Sequence, residues 1–274
     1  MNLLVGFLLV AGVTVVTVTA MLLVRRRSPE GSWFSDGDRA SGVFGVLATG
    51  FSVLLGFIVF LAFTSYDQSR SGAEAEALAV QQQVETAQFL PQPAGARLTG
   101  ELICYARYVE QVEWSEMESG TSGDRPNPWA VRMFTTLKGV EPTTASQGSA
   151  YDKWLDETAD REEARRDRVH GAEGVIPTPL WVVLFVISAI VFVYMIFFAD
   201  RGERAVTQAL LMGSVTIVIT TMLLLLAFLD DPFNGGVGSL EPVAIQRTQR
   251  LIDSALGSVQ LHVMPPCDAS GRPV

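Results

Sequence analysis

The sequence predicts an all-α integral membrane protein: four transmembrane helices, with an extramembrane helical hairpin or bundle between spans two and three. Three observations predict it. The apolar residues gather in four long blocks, those blocks hold no Asp, Glu, Lys, Arg or His, and the hydrophilic sequence between them repeats apolar residues at helical spacing. A hydrocarbon core about 30 Å thick takes roughly 20 apolar helical residues to cross. A peptide group in lipid finds no partner but its own helix, so such blocks are helices rather than strands.

The first span covers residues 1–24, is uninterrupted by charge from Asn2 to Val24, and ends on Arg25-Arg26-Arg27. A cleaved signal peptide is the alternative, with Val18-Thr19-Ala20 as the cleavage site. Signal peptides carry their positive charge before the apolar stretch, not after it, which favours a retained helix. The second span is 43–63, the third 177–199 and the fourth 205–229. Trp33 and Trp181 stand near block ends, where aromatic rings prefer the headgroup boundary. Pro177 and Pro179 suit a first helical turn, where a missing N–H costs little.

The remaining segments are 65–176 and the tail 230–274. In the first, Ala73, Ala77, Val80, Val84 and Ala87 form one apolar seam, and Leu98, Leu102, Tyr105, Val109 and Val112 a second. Leu90-Pro91-Gln92-Pro93-Ala94-Gly95 between them is a turn signal. The pattern is that of an antiparallel helical hairpin whose first arm continues span two. A turn-rich stretch (120–128), a short helix near 128–137 and a linker (142–148) follow. A charged helix over 150–170 reads as a solvated face, with an ion-attracting vestibule as the alternative. The tail carries Ile245, Thr248, Ile252, Ala255 and Val259, an amphipathic face that needs a partner. The last ten residues read as a frayed end.

Charge sets an expectation for sidedness. The stretch between spans one and two holds four arginines and three acids, and Asp200 to Arg204 holds two of each. Residues 65–176 hold eleven Lys or Arg and nineteen acids; the tail holds three and five. The dense arginine of the short loops places them in the cytoplasm, which puts the amino terminus, the long segment and the tail outside. A net charge of −9 without a basic face excludes a nucleic-acid partner. Two lysines against eighteen arginines suggest a GC-rich, bacterial coding sequence. Cys104 and Cys267 fall on one side in this scheme, and either a single disulfide or two free thiols fits them.

Chemistry is sparse. His170 and His262 lack ligand spacing to Cys, Asp or Glu, so neither a metal nor a cofactor is expected. No phosphate-cradling glycine loop and no Gly-x-Ser-x-Gly elbow occurs, and no enzyme is expected. The acids Glu74, Glu76, Glu110, Glu113, Glu116 and Glu118 read as charged helix faces. Uncharged spans argue against an ion-coupled carrier, which marks its path with ionisable residues. They leave open a pore gated by apolar constriction. Span two is the pore candidate. It carries Gly42, Gly45, Gly50 and Gly56, and it sets Thr49, Val53 and Phe57 on one face at successive spacings of four. Close helix packing is the alternative use of those glycines.

The run Leu54 to Phe63, with Tyr66-Asp67 and Glu74-Ala75-Glu76-Ala77, resembles the bestrophin-like membrane family of bacteria. So do Tyr105 with Glu113-Trp114, Ile176-Pro177 with Leu180-Trp181, and Leu229 to Gly235. Span two is also similar to the pore helix of the bestrophins, pentameric anion channels with an apolar neck. The resemblance implies a plasma-membrane, multi-pass homo-oligomer in the lipid bilayer that passes an anion, with Thr49, Val53 and Phe57 as pore-lining residues. The bestrophin pattern continues with an arginine and paired tryptophans where this chain has Thr64-Ser65-Tyr66. It also implies a cytoplasmic segment between spans two and three, opposite to the arginine distribution. The alternative to a channel is a non-conducting membrane scaffold or sensor whose extramembrane helices bind a partner.

Overall fold

A computed structural model describes residues 3–28, 33–34, 36–120, 126–258 and 263–274. Described helices are α1 (Leu3–Arg25), α2 (Gly37–Ala87), α3 (Ala94–Tyr108), α4 (Trp114–Glu118), α5 (Pro128–Lys138), α6 (Ala145–Val169), α7 (Thr178–Phe197), α8 (Ala205–Asp230) and α9 (Val243–Ser258). A π-helical turn, Val109–Glu113, joins α3 to α4. The chain divides into two compact units: one of residues 1–64 and 174–230, the other of 65–173 and 231–274.

In the first unit, α1, the opening part of α2, α7 and α8 are long and apolar enough to cross a membrane. α1 packs on α7 and α8. Met21, Ala199 and Met212 form the buried contact, with Val18, Leu22 and Phe192 around it. Thr216 Oγ1 donates to the Met212 carbonyl at 2.8 Å, and the single Thr17 hydroxyl hydrogen has acceptors in reach at the Val13 carbonyl, 2.8 Å, and at Thr216 Oγ1, 3.2 Å. In an apolar medium either choice leaves neither hydroxyl orphaned. Where α8 ends, the Asp230 carboxylate accepts the N–H groups of Val175 and Ile176, both at 2.8 Å, and the indole N–H of Trp181 at 3.2 Å. At the other end, Arg25 Nε donates to the Asp200 carbonyl at 3.0 Å, and Ser28 Oγ to that of Ala199 at 2.7 Å.

The second unit has its own core. Ala77, Val80, Val84 and Ala87 are buried, as their seam predicts, against Leu98, Leu102, Tyr105 and Val109. Trp129, Met133 and Leu137 of α5, Trp154 of α6 and Ile245, Ile252 and Leu256 of α9 complete it. Two helices start on side-chain caps that occupy otherwise orphaned N–H groups. Asn127 accepts from the Trp129 N–H (3.0 Å), and Thr144 from that of Gln147 (3.2 Å).

Several expectations are corrected. The second seam does not run on through Val112: the π-turn adds a residue, Val112 is only half-buried, and Glu113 and Trp114 face inward instead. The linker expected over 142–148 ends at Thr144, because that cap starts α6 at Ala145. In α9 the buried seam passes through Leu256, not Ala255, and Val259 lies outside the described residues. The tail end is not frayed. The Cys104–Cys267 disulfide holds it, the Trp129 indole N–H donates to the Gly271 carbonyl at 2.6 Å, and Asp268 Oδ1 accepts the N–H groups of Ser270 and Arg272 at 2.9 Å.

Candidate functional site

The pore candidate begins with what α2 buries. Phe51, Leu55, Ile58 and Ala62 are buried, at the three- and four-residue spacing of one helical face. Thr49, Val53 and Phe57 lie elsewhere on the same turns. All three are exposed, Val53 at 69% and Phe57 at 60% of their surface. The stripe extends to Val46 and Phe60. The structure therefore sets the three predicted residues side by side on one uncharged face, with nothing of the same unit over them.

The glycines of this helix do not serve close packing within the unit. A Cβ at Gly42, Gly45, Gly50 or Gly56 would meet nothing within 4 Å. Beside the stripe runs an apolar groove of about 550 Å³, lined by Phe44, Ser52 and Gly56 of α2 and by Ser214, Val218 and Met222 of α8. Its hydroxyls do not make it polar, since Ser52 and Ser214 donate back to the carbonyls of Ala48 and Leu211.

A second constellation escaped the sequence reading. Glu76 and Glu113, expected on solvated faces, are both buried, as are Arg161 and Arg168 of the helix expected to be solvated. Arg168, 0% exposed, donates through Nε and Nη2 to the Glu76 carboxylate and through Nη2 to Glu113. Arg165 Nη2 reaches Glu113 at 3.2 Å. Tyr105 donates its hydroxyl to Glu76, and the Asn127 amide donates to Glu113 at 2.9 Å. The Arg161 guanidinium lies 4.8 Å from the Tyr105 ring and donates to Gln83 at 2.8 Å. Arg168 stands 5.7 Å from the Trp114 ring.

The electrostatics follow from burial against pairing. Burial alone would raise the Glu113 carboxyl, but Arg168 and Arg165 hold it below its ordinary range. Burial lowers Arg168 and the two glutamates more than reverse it, so it stays charged. The Tyr105 phenol is pushed well above its ordinary value by burial and by Glu76. Every formal charge here faces an opposite one or a hydrogen bond. The cluster ties α2, α6 and the Val109–Glu113 turn together as a structural lock.

The signal that finds it is spacing. The buried residues of α6 are Ala150, Trp154, Glu157, Arg161, Ala164 and Arg168, alternating steps of four and three. Admitting Arg and Glu as core residues would have revealed the seam. Glu74, Glu110, Glu116 and Glu118 stay outside the fully buried core. His170 is exposed, His262 lies outside the described residues, and no group of metal-ligating side chains occurs among the described residues.

Residues 11–244 match the model of the bestrophin-like domain, and the chain belongs to that family. A bacterial bestrophin homologue from Klebsiella pneumoniae, solved as single-substitution variants, shares the fold. One variant superposes with a TM-score of 0.67 at 13% identity, over 92% of this chain and 98% of that one. Another gives 0.64 at 12%, over 92% and 99%. A structure described only as a membrane protein gives 0.66 at 14%, over 93% and 99%. At these identities the likeness is one of fold. No curated protein matches the chain.

Proposed function

We propose that the chain assembles with copies of itself into an ion channel, passing an anion, with α2 lining the path and Thr49, Val53 and Phe57 forming its narrow apolar neck. The observation that carries this reading is the exposed stripe on α2: three uncharged side chains at spacings of four, facing away from their own unit. Rings of Val and Phe gate by excluding water rather than by holding charge. Membership of the bestrophin-like family and the shared fold support the same reading. The glycines with open space around them supply surface on which a second copy's helix could approach closely. In this reading the protein is a multi-pass protein of the plasma membrane and carries out no covalent chemistry.

The test is chloride flux into liposomes reconstituted with the purified, folded oligomer. Flux is expected, and Phe57→Ala is expected to change it several-fold by widening the neck. A well-folded oligomer that passes no anion would overturn the reading.

One observation favours the scaffold or sensor alternative. A groove of about 670 Å³ in the aqueous unit runs between α2 and α9, lined by Arg70, Leu78, Gln81, Arg247 and Leu251. Photocrosslinking from Leu78 in cells separates the two: adducts with another protein favour the scaffold, adducts with a second copy favour the channel.

A further inference from the structure

We infer that segment 65–176 and the tail 230–274 lie outside the cytoplasm and the two short arginine-rich loops inside it, the reverse of the sidedness that resemblance to bestrophin channels implies. The inference is independent of whether the chain conducts.

The first argument is charge at the short loops. Arg25, Arg26, Arg27, Arg39, Arg201 and Arg204 crowd two short stretches, and orientation follows Lys and Arg in short loops close to the span ends. The structure joins these stretches at one end of the membrane unit. Arg25 donates to the carbonyls of Asp200 and Arg201, and Arg201 donates back to that of Arg26. Their charges therefore count together. The long segment carries an excess of acids, and long segments translocate largely regardless of charge.

The second argument is the chemistry of sulfur. Cys104 and Cys267 are bonded to each other, 163 residues apart. Segments 65–176 and 230–274 are separated by two crossings, so they share a side and this bond reports on that side. The tail is seated by more than the bond. The Trp129 indole holds the Gly271 carbonyl, and a Cβ on Gly271 would fall 2.3 Å from the Tyr108 nitrogen and 2.8 Å from the Cys104 carbonyl oxygen. At φ +77° this position also favours glycine. Folding itself thus brings the two thiols together. No third ligand makes them a metal site among the described residues. Such a pair forms a lasting disulfide outside the cytoplasm, whereas cytosolic thiols are kept reduced. One argument concerns insertion and the other redox compartment, and they agree.

The test uses the full chain in a bacterial host. Ser146→Cys places one thiol on the exposed start of α6 and Ser41→Cys one on the exposed start of α2. A membrane-impermeant maleimide is applied to osmotically shocked intact cells and to permeabilised cells. We expect Ser146→Cys to label in both and Ser41→Cys only after permeabilisation. Any other pattern overturns the inference. As a check that needs no variant, thiols of the unmodified chain are trapped in cells with a permeant alkylating reagent before lysis. Recovery of the disulfide-linked 104–267 peptide supports the inference, and recovery of alkylated Cys104 overturns it.

Discussion

At Arg168 a guanidinium with no access to water is held between two carboxylates on other helices. Replacing it with methionine keeps the length and leaves Glu76 and Glu113 buried without their cation. Breaking a buried pair in this way costs about 3–5 kcal/mol, expected as a large fall in the melting temperature in detergent. Neutralising Glu76 and Glu113 with glutamine in the same protein should restore part of that loss. The pH dependence of the cluster has a definite sign. The Glu113 carboxyl is lowered from 4.5 in the folded chain, so its stabilisation is complete above the unfolded value and fades as pH falls through the folded one. Melting profiles between pH 7 and pH 3 should show Glu113→Gln less stable at pH 7 and less acid-sensitive than the unmodified protein. Glu101 behaves oppositely. Burial raises its carboxyl above 4.5, so its charge is tolerated at neutral pH at some cost, and Glu101→Gln should hold or raise the neutral-pH melting temperature. Gly72 is a tight spot of another kind. A Cβ there would sit 2.4 Å from the Arg168 backbone nitrogen and 2.8 Å from the Ala164 carbonyl. Gly72→Ala should therefore destabilise by about 1–3 kcal/mol through overpacking, measured by the same melts.

At the scale of elements, α2 is one helix of 51 residues, well beyond the roughly 20 that a bilayer core requires. Its two stretches follow different rules. The opening stretch buries Phe51, Leu55, Ile58 and Ala62 and leaves the Thr49–Val53–Phe57 stripe bare, while the later stretch buries an alanine and valine seam. Because Gly50 has open space around it, Gly50→Leu should leave the protomer fold intact. If copies meet on this face, the same change should reduce the mass of the assembly in detergent or its chloride flux. The extent of the apolar stretch and the alanine and valine seam of the later one were legible in the sequence, but the buried face of the opening stretch was not, because a segment apolar all round gives hydrophobic spacing no face to choose. α6 was not legible in that way. Its inward residues include Glu157, Arg161 and Arg168, whose burial depends on partners more than fifty residues away. Local composition records charge but not the distant charge that neutralises it.

For the whole molecule, four crossings could be read directly, because lipid enforces a simple rule of length and polarity on each segment independently. The pairing of Cys104 with Cys267 could not, since it depends on where the tail lands after α9 has docked. That bond closes a long loop, and removing such a constraint typically costs 2–5 kcal/mol. Replacing both cysteines with serine should lower the melting temperature and expose the tail to protease before the rest unfolds. The widened turn at Val109–Glu113 has a comparable reach. It advances the helical phase by one position between Leu98–Tyr105 and Trp114–Met117, so that Glu113 meets Arg168 and the Trp114 indole meets the Leu240 carbonyl. Shortening the chain there by a single residue would re-index everything downstream by about 100° per position, swinging both side chains off their partners. A family member lacking that residue would have to close the same bundle with a different set of ion pairs.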